Sequence, residues 1–267
     1  MIPSIATVTM GGDLPARLDA AAKAGFEAVE LFDADLDAFD GDEHTVRRLV
    51  EAVGLKVASY FPLRDVEGID PIDFNAVSSR AAAYMDTAVS LGSPMVMMCS
   101  ATDPSLSGDW THIVEDLEHM AGLAAERGLK LAYEALSWGQ HVSDYRDAVR
   151  LVGAVDHPAF GLVLDSFHIF AHGHSLEEIS QIPANRIFLV QVSDAPRLDL
   201  GFLDWSRHHR TLPGQGAFDL ATFTQNVRAT GYDGVFSLEC FDDLLKTRPA
   251  DEVARQGRDA IAELWRA

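Results

Sequence analysis

The segment AAERGLKLAYE (residues 124–134) contains the pattern that decides the fold. A helix-forming stretch ends at Gly128, and a short apolar strand follows at once and closes on Glu134. Glycine suits the residue after a helix because it adopts the left-handed backbone conformation without a Cβ penalty. The pattern recurs in AAKAGFEAVEL (21–31), VEAVGLKVASY (50–60), AVSLGSPMVMM (88–98) and VRATGYDGVFSLE (227–239). We therefore predict the same helix-to-strand turn at four more glycines: Gly25, Gly54, Gly92 and Gly231.

Working outward from these segments, we count eight strands, at about 3–9, 27–32, 56–61, 94–99, 129–134, 160–165, 187–192 and 234–240. Helices fill most intervals, with N-caps expected at Asp13, Asp42 and Asp109 and with Pro15 in a first turn. Alternating strands and helices predict parallel pairing through right-handed crossovers. Eight units in about 250 residues predict an α/β fold, a single (β/α)8 TIM barrel domain over residues 1–267. An open doubly wound sheet is less favoured, because no GxGxxG turn follows an early strand.

Four of the strands close on an oxygen-bearing side chain. They are KLAYE ending at Glu134, GLVLD at Asp165, IFLVQ at Gln191 and VFSLE at Glu239. Parallel barrel strands bring their carboxyl ends to one rim, where the active sites of this fold lie. Crowded carboxylates repel one another unless a cation lies among them. The four side chains therefore predict a site for a hard divalent ion, either Mg²⁺, Mn²⁺ or Co²⁺.

Histidines follow the second of these ligands. His168 lies three residues past Asp165 in DSFHIF (165–170). Because histidine titrates near neutral pH, His168 is a candidate general base, with a packing role as the alternative. We expect His172 and His174 to be solvated loop residues rather than zinc ligands, because the oxygen site is already complete.

The stretch 194–216 shows no helical or strand period, and a loop of that length on a barrel is usually functional. Its part DWSRHHRTLPGQG (204–216) is the most basic stretch of the chain. Arginine is suited to bidentate carboxylate binding, so Arg207 and Arg210 indicate an anion site; a solvated basic turn is the alternative.

A further rim cation follows the third strand in SYFPLRDVEG (59–68). Arg64 opposite Arg210 would give a substrate carboxylate two anchors, unless Arg64 pairs with Asp65 or Glu67. Tyr60 ends the strand pattern, and we include it among the candidate substrate contacts.

Charge and composition narrow the classes of partner. Of 267 residues, 21 are basic and 41 acidic, a formal net charge of −20. Such a surface repels phosphate backbones and anionic lipids, so we expect no nucleic-acid or membrane partner. Cys99 and Cys240 predict reduced thiols rather than a disulfide framework. No apolar run has transmembrane length, and MIPSIATVTM lacks signal-peptide form. We expect a cytoplasmic protein with a small anionic substrate; a homo-oligomer is left open.

The chain resembles bacterial 3-dehydroshikimate dehydratases of the xylose-isomerase-like barrel superfamily over nearly its whole length. The shared motifs are PLRDVEG (62–68), YEALSWG (133–139), LDSFHI (164–169), VQVSDAP (190–196), SRHHR with PGQG (206–216) and SLEC with FDD (237–243). The Glu–Asp–x–Glu order alone marks the superfamily, which also holds sugar isomerases, epimerases and an apurinic endonuclease. Gln191 and the SRHHR–PGQG loop are the more specific signals. Some members carry a second, dioxygenase-like domain, which we do not expect in this protein.

The resemblance implies a role for each candidate residue. The metal ligands would be Glu134, Asp165, Gln191 and Glu239. His168 would transfer the proton, with Glu134 as a second candidate, and the substrate would contact Arg64, Ser206 and Arg210.

The implied reaction is a hydro-lyase reaction, the metal-dependent dehydration of 3-dehydroshikimate, a small cyclic hydroxy-ketone carboxylate, to protocatechuate and water by enolate chemistry. It would serve quinate and shikimate catabolism or a biosynthetic route. The alternatives are a divalent-metal-dependent keto-sugar isomerase or epimerase, an inosose-type dehydratase, and a non-catalytic barrel. A DNA repair endonuclease is disfavoured by the net charge of −20.

Overall fold

A closed barrel of eight parallel strands forms the centre of the structure, a computed structural model that describes residues 1–266. Each strand pairs in parallel with the next, and the last pairs with the first. The strands are β1 (Ile2–Ala6), β2 (Ala28–Phe32), β3 (Lys56–Leu63), β4 (Met95–Cys99), β5 (Lys130–Glu134), β6 (Phe160–Asp165), β7 (Ile187–Val192) and β8 (Val235–Leu238). The predicted (β/α)8 fold is confirmed.

Ten α-helices are found within residues 1–266. They are α1 (Leu14–Ala24), α2 (Asp33–Asp37), α3 (Glu43–Ala52), α4 (Phe74–Ser90), α5 (Trp110–Glu126), α6 (Tyr145–Val155), α7 (Ser166–His172), α8 (Phe202–His208), α9 (Leu220–Ala229) and α10 (Ala250–Arg266). Short 3-10 helices lie at Thr7–Thr9, Glu177–Gln181, Ala184–Arg186 and Leu245–Thr247. None of these described helices is long and apolar enough to cross a membrane.

The predicted helix boundaries are confirmed at both ends. The glycines of the repeated pattern have φ values of 84°, 83°, 74°, 68° and 85°, at Gly25, Gly54, Gly92, Gly128 and Gly231. The three predicted N-caps each accept a hydrogen bond from a backbone N–H in the first turn, at Asp13, Asp42 and Asp109. One such cap stabilises a helix by about 1 kcal/mol. Pro15 lies in the first turn of α1.

The stretch 194–216 is not the irregular loop that the sequence predicted, because it contains α8. A helix of two turns is too short to show a clear period. The backbones of Asp194 and Thr211 exchange hydrogen bonds of 2.9 and 2.7 Å, so the segment leaves and rejoins the barrel at one point. The Asp194 carboxylate also accepts from the backbone N–H of Gly214 and Phe218. A Cβ on Gly216 would lie 2.2 Å from Asp194 Oδ1, so only glycine fits there.

Buried side chains form an inner and an outer apolar layer. Alternate residues along a strand point to opposite faces of the sheet. On β3, Phe61 joins the inner layer with Met97 and Leu189, below the carboxyl-terminal rim. Its neighbour Tyr60 joins the outer layer, between the strands and the helices. This alternation decides which residues of each strand end reach the cleft.

Glu67 is a buried carboxylate that ties the segment after β3 to neighbouring parts of the barrel. Its Oε1 accepts from the backbone N–H of Ala101 (2.8 Å) and from the Tyr133 hydroxyl (2.9 Å). Its Oε2 is buried and has no hydrogen-bond partner among the described residues. Burial raises the pKa of Glu67 to about 7, although the two hydrogen bonds act in the opposite direction.

We expect Glu67→Gln to raise stability above pH 7 and to weaken its pH dependence. Because the folded pKa exceeds the ordinary value of 4.5, the stabilisation from this group is complete below that value and is lost as pH rises to about 7. The shift corresponds to at most about 3 kcal/mol. Glutamine keeps the accepting oxygen and cannot ionise. Urea unfolding at pH 5 and pH 8 measures the difference, with the exposed Glu118→Gln as control; an unchanged pH dependence in Glu67→Gln would contradict the expectation.

Candidate active site and metal centre

A cleft opens at the carboxyl-terminal rim of the barrel. Its space, open mouth included, is about 290 Å³. The predicted site residues that line it are Arg64, Glu134, His168, Ser206, Arg210 and Glu239. The barrel therefore brings together side chains from β5, from the segments after β3 and β8, and from α7 and α8.

Glu134, Asp165 and His168 form a buried cluster in this cleft. Each offers an atom within 4.8 Å of the others, so the three could hold a metal ion. His168 Nε2 lies 3.6 Å from Glu134 Oε1 and 3.4 Å from Asp165 Oδ2. Burial raises the pKa of Glu134 well above its ordinary value, and the nearby carboxylates of Asp165 and Glu239 raise it further. A cation in the cluster would relieve this repulsion.

Gln191 and Glu239 complete the predicted set of ligands. Gln191 Nε2 donates to Glu239 Oε1 over 3.3 Å, and both side chains are buried. Burial raises the pKa of Glu239 to about 8 despite the guanidinium of Arg210 beside it. Glu239 lies one residue beyond β8, which ends at Leu238.

Two oxygens of this set are buried without a hydrogen-bond donor among residues 1–266. They are Glu134 Oε1 and Gln191 Oε1. The other carboxylate oxygen of Glu134 accepts from the thiol of Cys99 over 3.2 Å, so one oxygen is held while the other stays open. Buried acceptors are rarely left unpaired, and a divalent cation would satisfy both. The residues therefore fit a metal ion.

The sequence predicted that Arg210 anchors a substrate carboxylate, but the structure places its guanidinium among protein acceptors. Its Nη1 donates to Asp165 (2.7 Å) and Glu239 (2.8 Å). Its Nε and Nη2 donate to Ser206 Oγ, and Nη2 lies 3.1 Å from His168 Nε2. These five contacts match the five N–H donors of a guanidinium, so none remains for a substrate. Arg210 instead holds the carboxylates of two predicted ligands.

Arg64 and Arg207 both line the cleft and carry unpaired charge. Neither forms an ion pair with a carboxylate within the described part of the chain, so the alternative pairing of Arg64 with Asp65 or Glu67 is not found. Burial lowers the pKa of Arg207, and repulsion from Arg64 lowers it further. Arg207 lies 4.7 Å from the ring centre of Phe241, so it is packed in the wall of the cleft rather than solvated.

His168 is held at both sides of its ring. Nδ1 lies 3.1 Å from the backbone N and 3.0 Å from Oγ of Ser137, and Nε2 faces the carboxylate cluster. Burial lowers the pKa of His168 to about 3, although Asp165 acts against this. The imidazole is therefore neutral at neutral pH and able to accept a proton.

The prediction that His172 and His174 are solvated loop residues was wrong. His172 Nε2 contacts the backbone oxygen of Ser137 (2.9 Å), and His174 Nδ1 contacts Arg146 (3.1 Å). The two rings stack on each other with their centres 5.0 Å apart. They are packing residues, because α7 turns this face of the chain onto the barrel.

Tyr60 does not reach the cleft. It points into the outer layer and stacks on Tyr84 with ring centres 4.4 Å apart. β3 continues to Leu63, so Tyr60 does not end the strand as the sequence suggested. The prediction of Tyr60 as a substrate contact is therefore corrected.

Sequence reasoning missed three residues around the ligands: Glu30, Cys99 and Trp138. Trp138 lines the cleft and lies edge-on to His168, with ring centres 5.2 Å apart. Glu30 had a visible signal, since it is an acid in the middle of the apolar strand AVELF. Cys99 had none beyond its place at a strand end.

Comparison with known proteins identifies the family. Residues 18–264 match the model of the xylose isomerase-like TIM barrel family, and the chain belongs to that family. It is similar to a 3-dehydroshikimate dehydratase of Pseudomonas putida, 41% identical over 98% of this chain and 41% of that protein. It is also similar to an inosose isomerase of Halalkalibacterium halodurans, 25% identical over 97% of this chain and 94% of that protein.

A solved structure agrees with this assignment. It is a xylose isomerase-like TIM barrel/4-hydroxyphenylpyruvate dioxygenase fusion protein, with a TM-score of 0.97 and 40% identity. The match covers 99% of this chain and 42% of the fusion protein. The chain thus spans about two fifths of the length of the Pseudomonas putida dehydratase and of the fusion protein.

Proposed function

We propose that this protein catalyses the metal-dependent dehydration of 3-dehydroshikimate to protocatechuate and water. One observation carries the proposal: a buried carboxylate and a buried amide, each with an open oxygen, lie beside a neutral histidine, in a cleft lined by two arginines that form no ion pair within residues 1–266. Such a cleft suits a small anion that gives up a proton next to a polarised oxygen. The name of the Pseudomonas putida relative supports the same reaction.

Arg64 and Arg207 bind the substrate carboxylate in this proposal. Both guanidiniums are free of protein carboxylates and line the cleft, and a shared anion would relieve their repulsion. Phe241 and Trp138 lie beside Arg207 and offer flat apolar walls to a planar ring. Ser206 accepts twice from Arg210, which leaves its own hydroxyl hydrogen for the substrate.

His168 removes the proton from a carbon conjugated to the ketone. Its Nε2 lies 3.1 Å from Arg210 Nη2, so in this proposal the substrate C–H replaces that contact when the substrate binds. The carboxylates of Asp165 and Glu134 lie within 3.6 Å of Nε2 to stabilise the imidazolium that results. The contacts of Nδ1 with Ser137 fix the ring orientation. Loss of the ring hydroxyl as water and tautomerisation then give the aromatic product. The elimination is redox-neutral, so the reaction itself requires no redox cofactor.

A divalent cation held by Glu134, Asp165, Gln191 and Glu239 would supply positive charge next to the ketone oxygen and so acidify the neighbouring C–H. We propose Mg²⁺, Mn²⁺ or Co²⁺, because oxygen donors favour hard ions. Arg210 supports this set by holding one oxygen each of Asp165 and Glu239.

An ultraviolet assay tests the proposal. Purified protein with Mg²⁺ or Mn²⁺ is mixed with 3-dehydroshikimate, and protocatechuate absorbance is followed with and without a chelator. We expect a rise in absorbance that the chelator abolishes and added metal restores. No product from protein shown by calorimetry to bind the metal would rule out the dehydratase.

A keto-sugar isomerase or inosose-type enzyme is the second candidate, favoured by the inosose isomerase relative. Its substrates are neutral polyols, which gain nothing from two unpaired guanidiniums. A variant in which both Arg64 and Arg207 are replaced tests this candidate. If the protein turns over an inosose at a rate that these replacements do not change, the result would favour the keto-sugar or inosose-type enzyme over the dehydratase.

We expect Arg207→Met to raise KM for 3-dehydroshikimate by about 10- to 100-fold, since a charged hydrogen bond contributes about 1.5–3 kcal/mol. Methionine retains much of the apolar stem that packs on Phe241. Arg197→Met is the matched control, because Arg197 lies exposed in the same segment and outside the cleft. Steady-state kinetics measure both variants. A KM for Arg207→Met equal to that of the control would remove Arg207 from the substrate site.

The proposal extends to the cellular setting. A net charge of −20 supports a protein with no nucleic-acid or membrane partner. Two free buried cysteines support a reducing cytoplasm. Quinate and shikimate breakdown is the proposed route, and association into homo-oligomers is compatible with it.

A further inference from the structure

Glu30 is a carboxylate inside the barrel that the proposed reaction does not use. It lies in the middle of β2 and has no exposed surface. Its Oε2 accepts from Ser59 Oγ over 2.6 Å. Both of its oxygens accept from Gln191 Nε2, over 3.2 and 3.3 Å. Burying a carboxylate costs free energy unless neighbouring groups compensate, so its position requires an explanation.

The contact with Glu30 decides which end of the Gln191 amide points away from it. Gln191 Nε2 lies between the carboxylate of Glu30 and Glu239 Oε1. If the amide were turned over, its oxygen would face two carboxylates, which cannot donate a hydrogen bond when ionised. The observed orientation leaves Gln191 Oε1 buried and without a donor among the described residues.

Glu134, a second predicted ligand, shows the same arrangement of one hydrogen-bonded atom and one open atom. Cys99 donates to one of its oxygens, and the other is left without a donor. At both side chains the barrel interior therefore occupies one polar atom and leaves the other open. Open oxygens at the ends of β5 and β7, on either side of β6, are what a cation site at this rim requires.

We propose that Glu30 is a positioning residue: it holds the Gln191 amide so that the carbonyl oxygen, rather than the NH2 group, is offered to the cation. The inference rests on the metal site of the proposed function. Without Glu30 the Gln191 amide keeps only the contacts of Nε2 with Glu239 Oε1 (3.3 Å) and Met97 Sδ (3.4 Å). It therefore turns over more readily and presents N–H groups, which do not bind cations. Groups that orient a metal ligand typically account for about 10- to 100-fold in metal affinity.

Titration of the chelator-stripped protein with Mn²⁺ tests the proposal, by calorimetry and by the electron paramagnetic resonance signal of the ion. In Glu30→Gln the introduced amide can accept from Gln191 or donate to it, so the orientation is no longer fixed. We expect the Kd for Mn²⁺ to rise by about 10- to 100-fold. The Tm of the metal-free variant should match or exceed that of the wild type, because a buried carboxylate is removed. Ser59→Ala, which spares the Gln191 contact, should keep a Kd near the wild-type value.

A double variant tests the contact itself. Gln191→Glu brings two buried carboxylates together and should lower the Tm of the metal-free protein. Adding Glu30→Gln should restore the Tm, because the introduced amide can donate to the introduced carboxylate. If Glu30 only fills space, the changes in Tm of the two single variants should simply add in the double variant.

The outcomes separate the two proposals. Wild-type protein that binds no Mn²⁺ would overturn the metal site and this inference with it. Wild-type binding with an unchanged Kd in Glu30→Gln would overturn the inference and leave the proposed function standing. In a third outcome, the Tm and the Mn²⁺ affinity both fall in Glu30→Gln, and the double variant does not restore the Tm. Glu30 would then have only a structural role, and the inference would be overturned.

Discussion

Glu239→Ala is expected to lose metal affinity and the proposed dehydratase turnover together, each by about 100-fold or more, because it removes one of the three carboxylates proposed to hold the cation. It also leaves Arg210 with one acidic partner instead of two, so the guanidinium that holds Asp165 loses an anchor. Metal content after dialysis and initial rates with 3-dehydroshikimate measure the two effects.

Two further variants make this result specific. Glu239→Gln keeps an oxygen ligand but removes the charge, so its affinity should lie between those of the wild type and Glu239→Ala. Glu263→Ala removes an exposed acid of α10 and should change neither quantity. Full activity of metal-free Glu239→Ala protein would contradict the proposed chemistry.

His168→Asn is expected to lower kcat by about 10²- to 10⁴-fold, the usual contribution of a positioned acid or base. Asparagine is smaller than histidine and has no basic nitrogen, so proton transfer is lost while the cleft stays open. Because the predicted metal ligands are untouched, Mn²⁺ affinity and KM should change little. Steady-state kinetics combined with metal titration measures this split.

His172→Asn is the matched control for that variant. His172 lies on the same helix and contacts the same residue, Ser137, but it does not line the cleft. Its turnover should stay close to that of the wild type. Equal losses in the two variants would show that α7 had been disturbed as a whole, and would remove the evidence for His168 as the base.

The barrel and the clustering of the four oxygen-bearing side chains at one rim could be predicted from the sequence because each depends on a local rule. The eleven residues AAERGLKLAYE (124–134) show where a helix ends, where a strand runs and where a carboxylate reaches the rim. Repetition of that rule fixes the fold, and the parallel topology then brings Glu134 and Glu239 to the same side.

Contacts between distant segments could not be predicted in the same way. Arg210 and Arg207 lie three residues apart, and nothing local shows that one is buried among acids and the other faces the substrate cleft. That difference depends on the contacts that Arg210 makes with Asp165 at the end of β6 and with Glu239 just after β8. The prediction for Tyr60 failed for a related reason. A shift of one residue along a strand moves a side chain from the cleft side to the layer between the strands and the helices.

The point at which the segment 194–216 leaves and rejoins the barrel has an evolutionary consequence. Its two ends meet in the backbone bridge between Asp194 and Thr211, whereas Ser206 and Arg207, which line the cleft, lie inside the excursion. A different excursion closing on the same bridge would leave the strand register intact, but it would keep the hold on Asp165 and Glu239 only if it retained an arginine at the position of Arg210. The segment therefore carries two kinds of side chain, those that line the cleft and the one that holds the carboxylates, and only the first kind could change without disturbing the cluster.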